Sequence, residues 1–377
     1  MSYDVIVLGL GAMGSAAAQQ LAQRGKRVLG IDQFSPPHDR GSSHGGSRMI
    51  RQAYGESPFY IPLVLNAYEL WRKLERDCGA RLLHITGGLI LGSETGELVT
   101  RGIGAAAQHA IRHTVLSPSE IRARFPAITP LPGDVAVHEE LAGYLLPEEC
   151  IRAQLHLAKR SGAILHVEER VLGWEAHSDR VEVTTDRAVY EAGHLVITTG
   201  PWAAEALRGI LPLRVTRQVV FWIEPLGGIA PFLAEHFPVF LSESHDGQPA
   251  YGFPAMDGAT GGVKAAIHGS DRECTPETVD RTIHETDRTE VMKKLTPRFP
   301  ALAGQVVKAQ TCLYTMTSDE HFVIGTHPQN SSVSIACGFS GHGFKFAPVV
   351  GEILADLATQ GATVHPIRLF SPTRFSN

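Results

Sequence analysis

The first 32 residues constrain the fold of this chain more than any other stretch. Residues 4–8 (DVIVL) are an apolar run of the kind found in strands that are buried on both faces. Residues 9–14 (GLGAMG) place three glycines at G-x-G-x-x-G spacing, and residues 15–23 have the alanine, glutamine and leucine content of a helix. A second strand-like run, residues 26–32, ends in an acidic side chain. This order predicts a βαβ unit at the start of an open α/β sheet.

Each glycine of the turn has its own physical reason. Gly9 permits a tight strand-to-helix turn, Gly11 lets a pyrophosphate approach the backbone, and Gly14 lets the helix pack against the strand. The helix N-terminus offers free N–H groups and the positive end of a dipole to phosphates, and Asp32 can accept hydrogen bonds from a ribose. The sequence therefore predicts a dinucleotide site. The motif does not separate FAD from NAD, and a glycine-rich turn of another α/β protein is the alternative.

Composition narrows the class of protein. A chain of 377 residues with 43% apolar and 19% charged residues is long enough for two ordinary globular domains. The net charge of −5 gives no reason to expect nucleic acid or a membrane surface as partner. No apolar run reaches the ~18 residues of a membrane span, and the N-terminus shows no signal-peptide pattern. Five scattered cysteines fit a reducing compartment, so we expect a cytoplasmic protein. We expect no metal site.

The domain organisation follows from where strand-like runs return. Residues 194–198 predict a buried strand that rejoins the first sheet, a return more typical of FAD than of NAD enzymes. Residues 216–310 are mostly strand-like, with a predicted helix at 278–295, and indicate an inserted antiparallel sheet. A strand at 333–338 and a helix at 348–361 bring the chain back. We therefore predict a discontinuous α/β, Rossmann-type FAD-binding domain with an inserted α+β substrate domain. The FAD-binding domain comprises residues 1–85, 145–215 and 312–377. The substrate domain comprises residues 86–144 and 216–311.

Local patterns predict several further elements. Apolar spacing indicates helices, and Ser117 with Glu120 has the pattern of a helix start. Alternation and glycines indicate strands. The predicted elements are helices over residues 58–78 and 150–162, a strand pair within residues 81–91 around Gly87 and Gly88, and a meander over residues 167–191.

Two clusters of basic residues suggest chemistry. The loop at residues 43–51 carries His44, Arg48 and Arg51 among glycines, which suits cofactor phosphates or a substrate carboxylate; a solvated basic loop is the alternative. Lys264 stands in an apolar run, where a lysine either reaches out from a sheet edge or is buried for function. If that run is a strand, Lys264 and His268 lie on the same face of it.

Two further clusters lie near the C-terminus. Cys312 precedes Tyr314, and a lone cysteine is usually a small core residue. The glycine-rich segment at 338–346 ends near Lys345, between a predicted strand and the last helix. Its backbone N–H groups could hold the carbonyls of a flavin, or it is an ordinary connection.

Taken together, these stretches resemble the family of monomeric sarcosine oxidase and N-methyltryptophan oxidase, which are amine-oxidising flavoproteins. The resemblance covers nearly the whole chain. Besides the N-terminal glycine motif, it includes residues 36–38 (PPH), 44–56, 251–254 (YGFP), 312–315 (CLYT), 319–322 (DEHF) and 338–346.

The resemblance implies a role for each cluster. Cys312 would form a thioether to the 8α-methyl group of FAD, and Lys264 would be the cation that activates oxygen. Arg51 and Lys345 would pair with the substrate carboxylate. The other implied catalytic residues are Tyr251, Tyr314 and His268 around the amine, and His44 and Arg48 beside the flavin ring. The implied cofactor-binding residues are Gly9, Gly11, Ala12, Met13, Gly14, Asp32, Ser42, His44, Ser47, Arg48, Val171, Gly200, Trp202, Cys312, Gly341, Gly343, Phe344 and Lys345.

The implied reaction is oxidation of the N-methyl C–N bond of sarcosine or a related N-methyl amino acid by O2. Its products are the demethylated amino acid, formaldehyde and H2O2, and the relatives imply a monomer. The alternatives are an oxidase of a bulkier N-methyl or cyclic imino acid, such as N-methyltryptophan or pipecolate, a flavin dehydrogenase with another acceptor, and a non-catalytic flavin-binding protein. Departures from the family at Gly46, where relatives carry Asp, and at Leu241, where sarcosine oxidase has Met, put substrate size and redox tuning in question.

Overall fold

A computed structural model describes residues 2–244 and 246–375. The helices are α1 (Ala12–Gln23), α2 (Ile61–Cys78), α3 (Glu97–Gln108), α4 (Pro118–Arg124), α5 (Pro147–Arg160), α6 (Ala203–Ala206), α7 (Glu285–Leu295) and α8 (Ala347–Gln360). The strands are β1 (Tyr3–Leu8), β2 (Val28–Ile31), β3 (Arg48–Ile50), β4 (Leu83–Ile85), β5 (Gly88–Ser93), β6 (His113–Leu116), β7 (Asp134–Glu139), β8 (Gly143–Leu145), β9 (Ile164–His166), β10 (Val171–Ala176), β11 (Val181–Thr185), β12 (Val189–Ile197), β13 (Arg214–Glu224), β14 (Val239–Ser242), β15 (Ala250–Gly252), β16 (Val263–Ile267), β17 (Glu273–Cys274), β18 (Gln305–Met316), β19 (Val323–His327) and β20 (Asn330–Cys337).

The first sheet contains the predicted βαβ unit. Its order is β10-β11-β12-β1-β2-β9, and β1 is parallel to both β2 and β12. The C-terminal half of β12 also pairs in parallel with β20, so the chain returns to this sheet as expected. Helices α5 and α8 pack on α1, and one apolar cluster joins them to α2. The meander β10-β11-β12 is antiparallel, which confirms that prediction.

The turn between β1 and α1 is built around glycine. Gly9 has φ +80°, and a Cβ there would lie 2.6 Å from the Thr198 carbonyl oxygen. A Cβ at Gly14 would lie 1.7 Å from the Gly9 carbonyl oxygen, so the helix touches the strand only because no side chain intervenes. The nearest atom to a Cβ at Gly11 is the Ser43 Oγ at 3.8 Å, which leaves the helix N-terminus approachable.

The second sheet is the inserted one. Its order is β17-β13-β16-β15-β14-β5-β7-β6, with β18 paired along β13. All its pairings are antiparallel except that of β5 with β14. Its separate core includes Phe221, Phe240 and Phe299. Helix α4 contributes Ile121 to this core, and helix α7 contributes Val291 and Leu295. In a small third sheet, β3-β8-β4, strand β3 begins at Arg48 and forms the second half of segment 43–51.

Two local predictions are wrong. The helix predicted at 278–295 begins only at Glu285. The preceding backbone is held by Arg217, which donates to the carbonyl oxygens of Asp280 (2.7 Å) and Thr282 (2.6 Å), and carbonyls used in this way are not available to a helix. The predicted strand pair at 81–91 is two strands in different sheets, because β4 pairs with β8 while β5 pairs with β7 and β14.

The other local helices are confirmed. α2 follows a short 3-10 turn at Pro58–Tyr60 and ends at Gly79, which is left-handed. Ser117 and Glu120 form a capping box at α4. Among the described residues, none of the helices combines the length and the apolar composition that a membrane crossing would need.

Candidate active site

A cleft runs along the carboxyl ends of β1, β2 and β20, in front of α1. We call it the glycine cleft. The predicted cofactor residues that line it are Gly9, Gly11, Ala12, Met13, Asp32, Ser42, Arg48, Gly200, Trp202, Gly341, Gly343 and Phe344. Gly14 instead packs inside the βα turn, and Val171 lines a neighbouring cleft that shares Gly9, Asp32 and Trp202 with the first. The structure thus brings most of the predicted set together along one continuous depression.

Asp32 sits at the end of β2 and is buried. One carboxylate oxygen accepts the Leu10 N–H at 2.7 Å, and the other accepts the Phe34 N–H at 2.9 Å. Burial raises the pKa of Asp32, while these two N–H groups lower it. The side chain therefore shapes the glycine turn in addition to facing the cleft.

The glycine cleft opens into a second space, which we call the charged cavity. Arg48, Tyr314, Gly341 and Phe344 line both. The remaining predicted residues that line the charged cavity are His44, Ser47, Arg51, Tyr251, Lys264, His268, Cys312 and Lys345. These residues come from separate loops and from strands β15, β16 and β18, so folding assembles a cationic cavity from distant parts of the chain.

Lys264 is the most buried cation of the cavity, with 1% of its surface exposed. Its Nζ donates to Gly45 O (2.7 Å), Ser47 O (3.0 Å) and Ser47 Oγ (3.1 Å). Burial and the Arg48 charge push the pKa of Lys264 well below its usual value. Three acceptors match the three N–H donors of an ammonium group, whereas a neutral amine has only two, so the geometry favours the charged form.

Cys312 lies on β18 at the junction of the two spaces. Its Sγ is 3.8 Å from Arg48 Nη2 and 3.8 Å from Ser42 O. Burial raises the pKa of the thiol, but the nearby His44 ring and the Arg48 guanidinium outweigh burial and bring the pKa down to about 6. The thiolate is the reactive form of cysteine, so this sulfur is activated and differs from an ordinary core cysteine. Cys337 shows the contrast, because burial raises the pKa of that thiol to about 12.

Arg51 and Lys345 flank one aromatic ring. The Arg51 guanidinium lies 4.6 Å and the Lys345 ammonium 5.0 Å from the centre of the Tyr54 ring. Arg51 Nη2 donates to Glu56 at 2.6 Å, and Lys345 Nζ donates to His342 O at 2.6 Å. Burial and the Arg51 charge lower the pKa of Lys345 to about 7. One carboxylate, Glu56, therefore faces two buried cations.

The three predicted amine-facing residues form an aromatic wall. The rings of His268 and Tyr314 are centred 5.7 Å apart, and those of His268 and Tyr251 are 6.3 Å apart. Burial lowers the pKa of His268 to about 4 and raises the pKa of both tyrosines. All three side chains are therefore neutral at physiological pH.

Comparison with known proteins shows which family of proteins the chain resembles. Residues 4–357 match the family of FAD-dependent oxidoreductases. A monomeric sarcosine oxidase from Streptomyces avermitilis is 47% identical over 100% of this chain and 98% of that protein. One from a Bacillus species is 38% identical over 99% of this chain and 97% of that protein. An N-methyl-L-tryptophan oxidase from Yersinia pestis is 35% identical over 100% of both chains.

The chain belongs to the FAD-dependent oxidoreductase family. It falls in the group that contains the monomeric sarcosine oxidases, and it is therefore an FAD-dependent enzyme. Solved structures agree with this placement. NikD, an unusual amino acid oxidase, superposes with a TM-score of 0.85 at 26% identity, covering 98% of this chain and 97% of that one. L-Proline dehydrogenase from P. horikoshii has a TM-score of 0.85 at 26% identity, covering 99% and 98%.

The residues present fit the family's FAD. Gly11 caps α1 without a side-chain hydrogen bond, so the first N–H groups of the helix face the glycine cleft. The buried Thr199 Oγ1 lies in a residue that lines the glycine cleft and has no hydrogen-bond partner within the described part of the chain. Unsatisfied buried polar atoms are uncommon, and the position of this one indicates a polar ligand.

Sequence reasoning missed the acidic residues that support the site. Glu56 pairs with Arg51, and Glu139 accepts the N–H groups of Gln52 (2.7 Å) and Ala53 (2.9 Å). Glu148 accepts the N–H of Gly45 at 2.7 Å. No local pattern reveals these contacts, because the partners of Glu139 and Glu148 lie far away in sequence. Glu56 lies close to Arg51 and within segment 44–56, which is part of the family resemblance, but no role was predicted for it.

Proposed function

We propose that this enzyme oxidises the N-methyl C–N bond of sarcosine or a close N-methyl amino acid, with O2 as electron acceptor. The observation that carries the proposal is the convergence of Arg51 and Lys345 in a cavity contiguous with the glycine cleft, together with the buried Lys264. The names of its relatives, monomeric sarcosine oxidase and N-methyl-L-tryptophan oxidase, support the same substrate class.

Arg51 and Lys345 bind the substrate carboxylate in this proposal. Arginine offers a planar fork to both carboxylate oxygens, and a lysine on the same side adds a second charge. The carboxylate takes the place that Glu56 occupies against Arg51 at 2.6 Å. Two cations on one end of a small substrate fix the position of its other end, which is catalysis by orientation.

The amine then faces the neutral wall of Tyr251, His268 and Tyr314. A protonated amine has no lone pair with which to expel a hydride, and a neutral wall provides no carboxylate to stabilise the ammonium form. Bound FAD would supply the oxidant, accepting a hydride from the N-methyl carbon. Water then hydrolyses the substrate imine to formaldehyde and the primary amino acid.

Lys264 assists the reaction with O2. Reduction of O2 passes through an anionic, superoxide-like species before H2O2 forms. A fixed ammonium in a site closed to water stabilises such a developing anion much more than the same charge in bulk water. Lys264 meets this need, because it is 1% exposed and is held by three oxygen atoms.

We also propose that the flavin is tethered through the Cys312 sulfur. The lowered thiol pKa of about 6 supports this, since the thiolate is the form that attacks carbon. The C–S bond would replace a C–H bond of the 8α-methyl group, whose hydrogen would leave as a proton, and the two electrons released would reduce the flavin and then pass to O2. In Cys312→Ser protein, we expect the yellow colour to leave with the supernatant after acid precipitation, whereas Cys337→Ser protein keeps its colour in the pellet. Colour that stays in the Cys312→Ser pellet would contradict the tether.

The reaction is tested with a panel of amines in air. We expect sarcosine and other small N-methyl amino acids to give equal amounts of H2O2 and formaldehyde. Higher activity with N-methyltryptophan or pipecolate would move the preference to bulkier substrates, and amine oxidation without H2O2 would identify a dehydrogenase.

We further propose that the protein is a cytoplasmic monomer with the domain limits given above. Its five cysteines are all free, which is compatible with a reducing compartment.

A further inference from the structure

Glu148 holds the loop that contacts Lys264. It lies in the first turn of α5, and its Oε1 accepts the N–H groups of Gly45 (2.7 Å) and Gly46 (3.1 Å). Its Oε2 is 3.3 Å from the Gly46 nitrogen. A carboxylate that receives two successive backbone N–H groups makes strong, charge-assisted hydrogen bonds and fixes the peptide between them.

The backbone of this loop is shaped so that its two sides face opposite charges. Gly45 has φ +95° and Gly46 has φ +77°, conformations that favour glycine. Their N–H groups converge on Glu148, while Gly45 O and Ser47 O point to the Lys264 ammonium at 2.7 and 3.0 Å. A Cβ at Gly45 would lie 3.6 Å from Lys264 Nζ, which shows how closely the loop approaches. The three-residue segment 45–47 is therefore held between a carboxylate and an ammonium.

Charged groups of both signs surround Lys264. Burial and the Arg48 guanidinium lower the pKa of Lys264, as does the more distant Lys308, whereas the Cys312 thiolate and the Glu148 carboxylate raise it. The faces of Phe253 and Trp222, at 4.8 and 5.5 Å, complete the surroundings. If Cys312 is joined to the flavin, its negative charge is lost. Glu148 then remains as the negative charge that opposes Arg48.

We propose that Glu148 is a positioning residue for the oxygen reaction: it fixes loop 45–47 so that the oxygen atoms of Gly45 and Ser47 hold the Lys264 ammonium in place. The inference rests on the proposed function, in which O2 is reduced beside Lys264. In this role Glu148 does not touch the substrate and acts on Lys264 through loop 45–47.

The test uses the purified holoenzyme and separates the two half-reactions by stopped flow. In Glu148→Gln protein we expect the second-order rate constant for reoxidation by O2 to fall about tenfold, because the amide oxygen can still accept the two N–H groups but the charge that strengthens these hydrogen bonds is lost. Anaerobic reduction by sarcosine should change less than about twofold, since Arg51 and Lys345 are untouched. Reoxidation should also begin to slow at a lower pH than in the parent enzyme, because the lysine loses its proton more readily.

Four further variants separate the explanations. Glu149→Gln removes the same charge from the adjacent exposed residue, which pairs with Arg152, and should behave as the parent. Glu148→Asp keeps the charge on a shorter side chain and should recover part of the rate; a merely steric role predicts the reverse, with Glu148→Gln at the parent rate and Glu148→Asp slow. Lys264→Gln should lose about a hundredfold. A crystal structure of Glu148→Ala should show Lys264 Nζ beyond hydrogen-bond distance of Gly45 O.

Different results would overturn the role of Glu148 and the proposed oxygen chemistry. If Glu148→Gln reoxidises at the parent rate and with the parent pH dependence while Lys264→Gln is slow, the role of Glu148 is overturned and that of Lys264 stands. If Lys264→Gln reoxidises at the parent rate, the proposed oxygen chemistry is overturned and the role of Glu148 falls with it. An unmoved Lys264 in the Glu148→Ala crystal would also contradict the proposal.

Discussion

The glycine cleft and the charged cavity adjoin each other but are built in different ways. The cleft is made mainly of backbone, with Gly9, Gly11 and Gly341 at its surface and an uncapped helix N-terminus in front. The cavity is made of buried charged side chains, among them Lys264 and Lys345, which are 1% and 6% exposed. Backbone shape is specified locally by residue type, whereas buried charges require partners from other parts of the chain. The two regions should therefore respond differently to mutation.

The largest effect is expected at the glycine turn. Gly14→Ala places a Cβ 1.7 Å from the Gly9 carbonyl oxygen, so α1 must move away from β1. We expect the free energy of unfolding of the FAD-free chain to fall by about 3 kcal/mol or more, because overpacking against backbone cannot be relieved by a rotamer change. Denaturant unfolding measures it.

Gly11→Ala is the matched control for this turn. Its Cβ would meet no atom closer than 3.8 Å, so the FAD-free chain should lose no more than about 1 kcal/mol of stability. The affinity for FAD, measured in the Cys312→Ser background, should still fall, because the Cβ occupies the path of the phosphates. Equal loss of stability in the two variants would contradict this account of the turn.

The next largest effect is expected at Arg51. Arg51→Met removes a charged hydrogen-bond donor from the proposed carboxylate site, at a cost of about 1.5–3 kcal/mol, or roughly 10- to 150-fold in affinity. The measurement is the Kd of a thioether analogue of sarcosine, followed through the flavin spectrum. Arg101→Met is the control, since Arg101 lies exposed at the cavity and pairs with Glu97 at 2.5 Å. A similar loss in both variants would mean that any nearby cation serves.

A smaller, graded effect is expected from pH. Lys345, with a pKa of about 7, is charged below that pH and neutral above it, and only the charged form attracts an anion. The Kd of the same analogue should be lowest below pH 7 and rise above it, by at most about tenfold per pH unit. Binding should also take up protons near pH 7, which calorimetry in two buffers detects. Lys345→Met should abolish this dependence; an unchanged slope in that variant would assign the titration to another group.

The sequence predicted the cleft far better than the cavity. The glycine spacing predicts a turn, a helix start and a dinucleotide site, because a missing Cβ has a direct geometric consequence. The helix predicted from residue 278 failed because Arg217, on a distant strand, takes the carbonyls of Asp280 and Thr282. Local propensity does not contain that contact.

The cavity shows the same limit. Residues 312 and 264 could be assigned chemistry only through resemblance to a family, since an isolated cysteine or lysine has no local signature of function. Glu148 could not be assigned at all, because its role depends on two glycine N–H groups about a hundred residues away in sequence. For such residues the sequence shows which chemical group the side chain carries, but it does not show which groups that side chain contacts.

The most direct test of the central claim is anaerobic mixing of the enzyme with sarcosine and, separately, with an N-methyl amine of similar size that lacks the carboxylate. If the charged cavity orients an N-methyl amino acid for oxidation, the visible absorbance of the flavin will bleach rapidly with sarcosine and at least about a hundredfold more slowly with the other amine. Equal bleaching by both, or none with any N-methyl amino acid, would contradict the account.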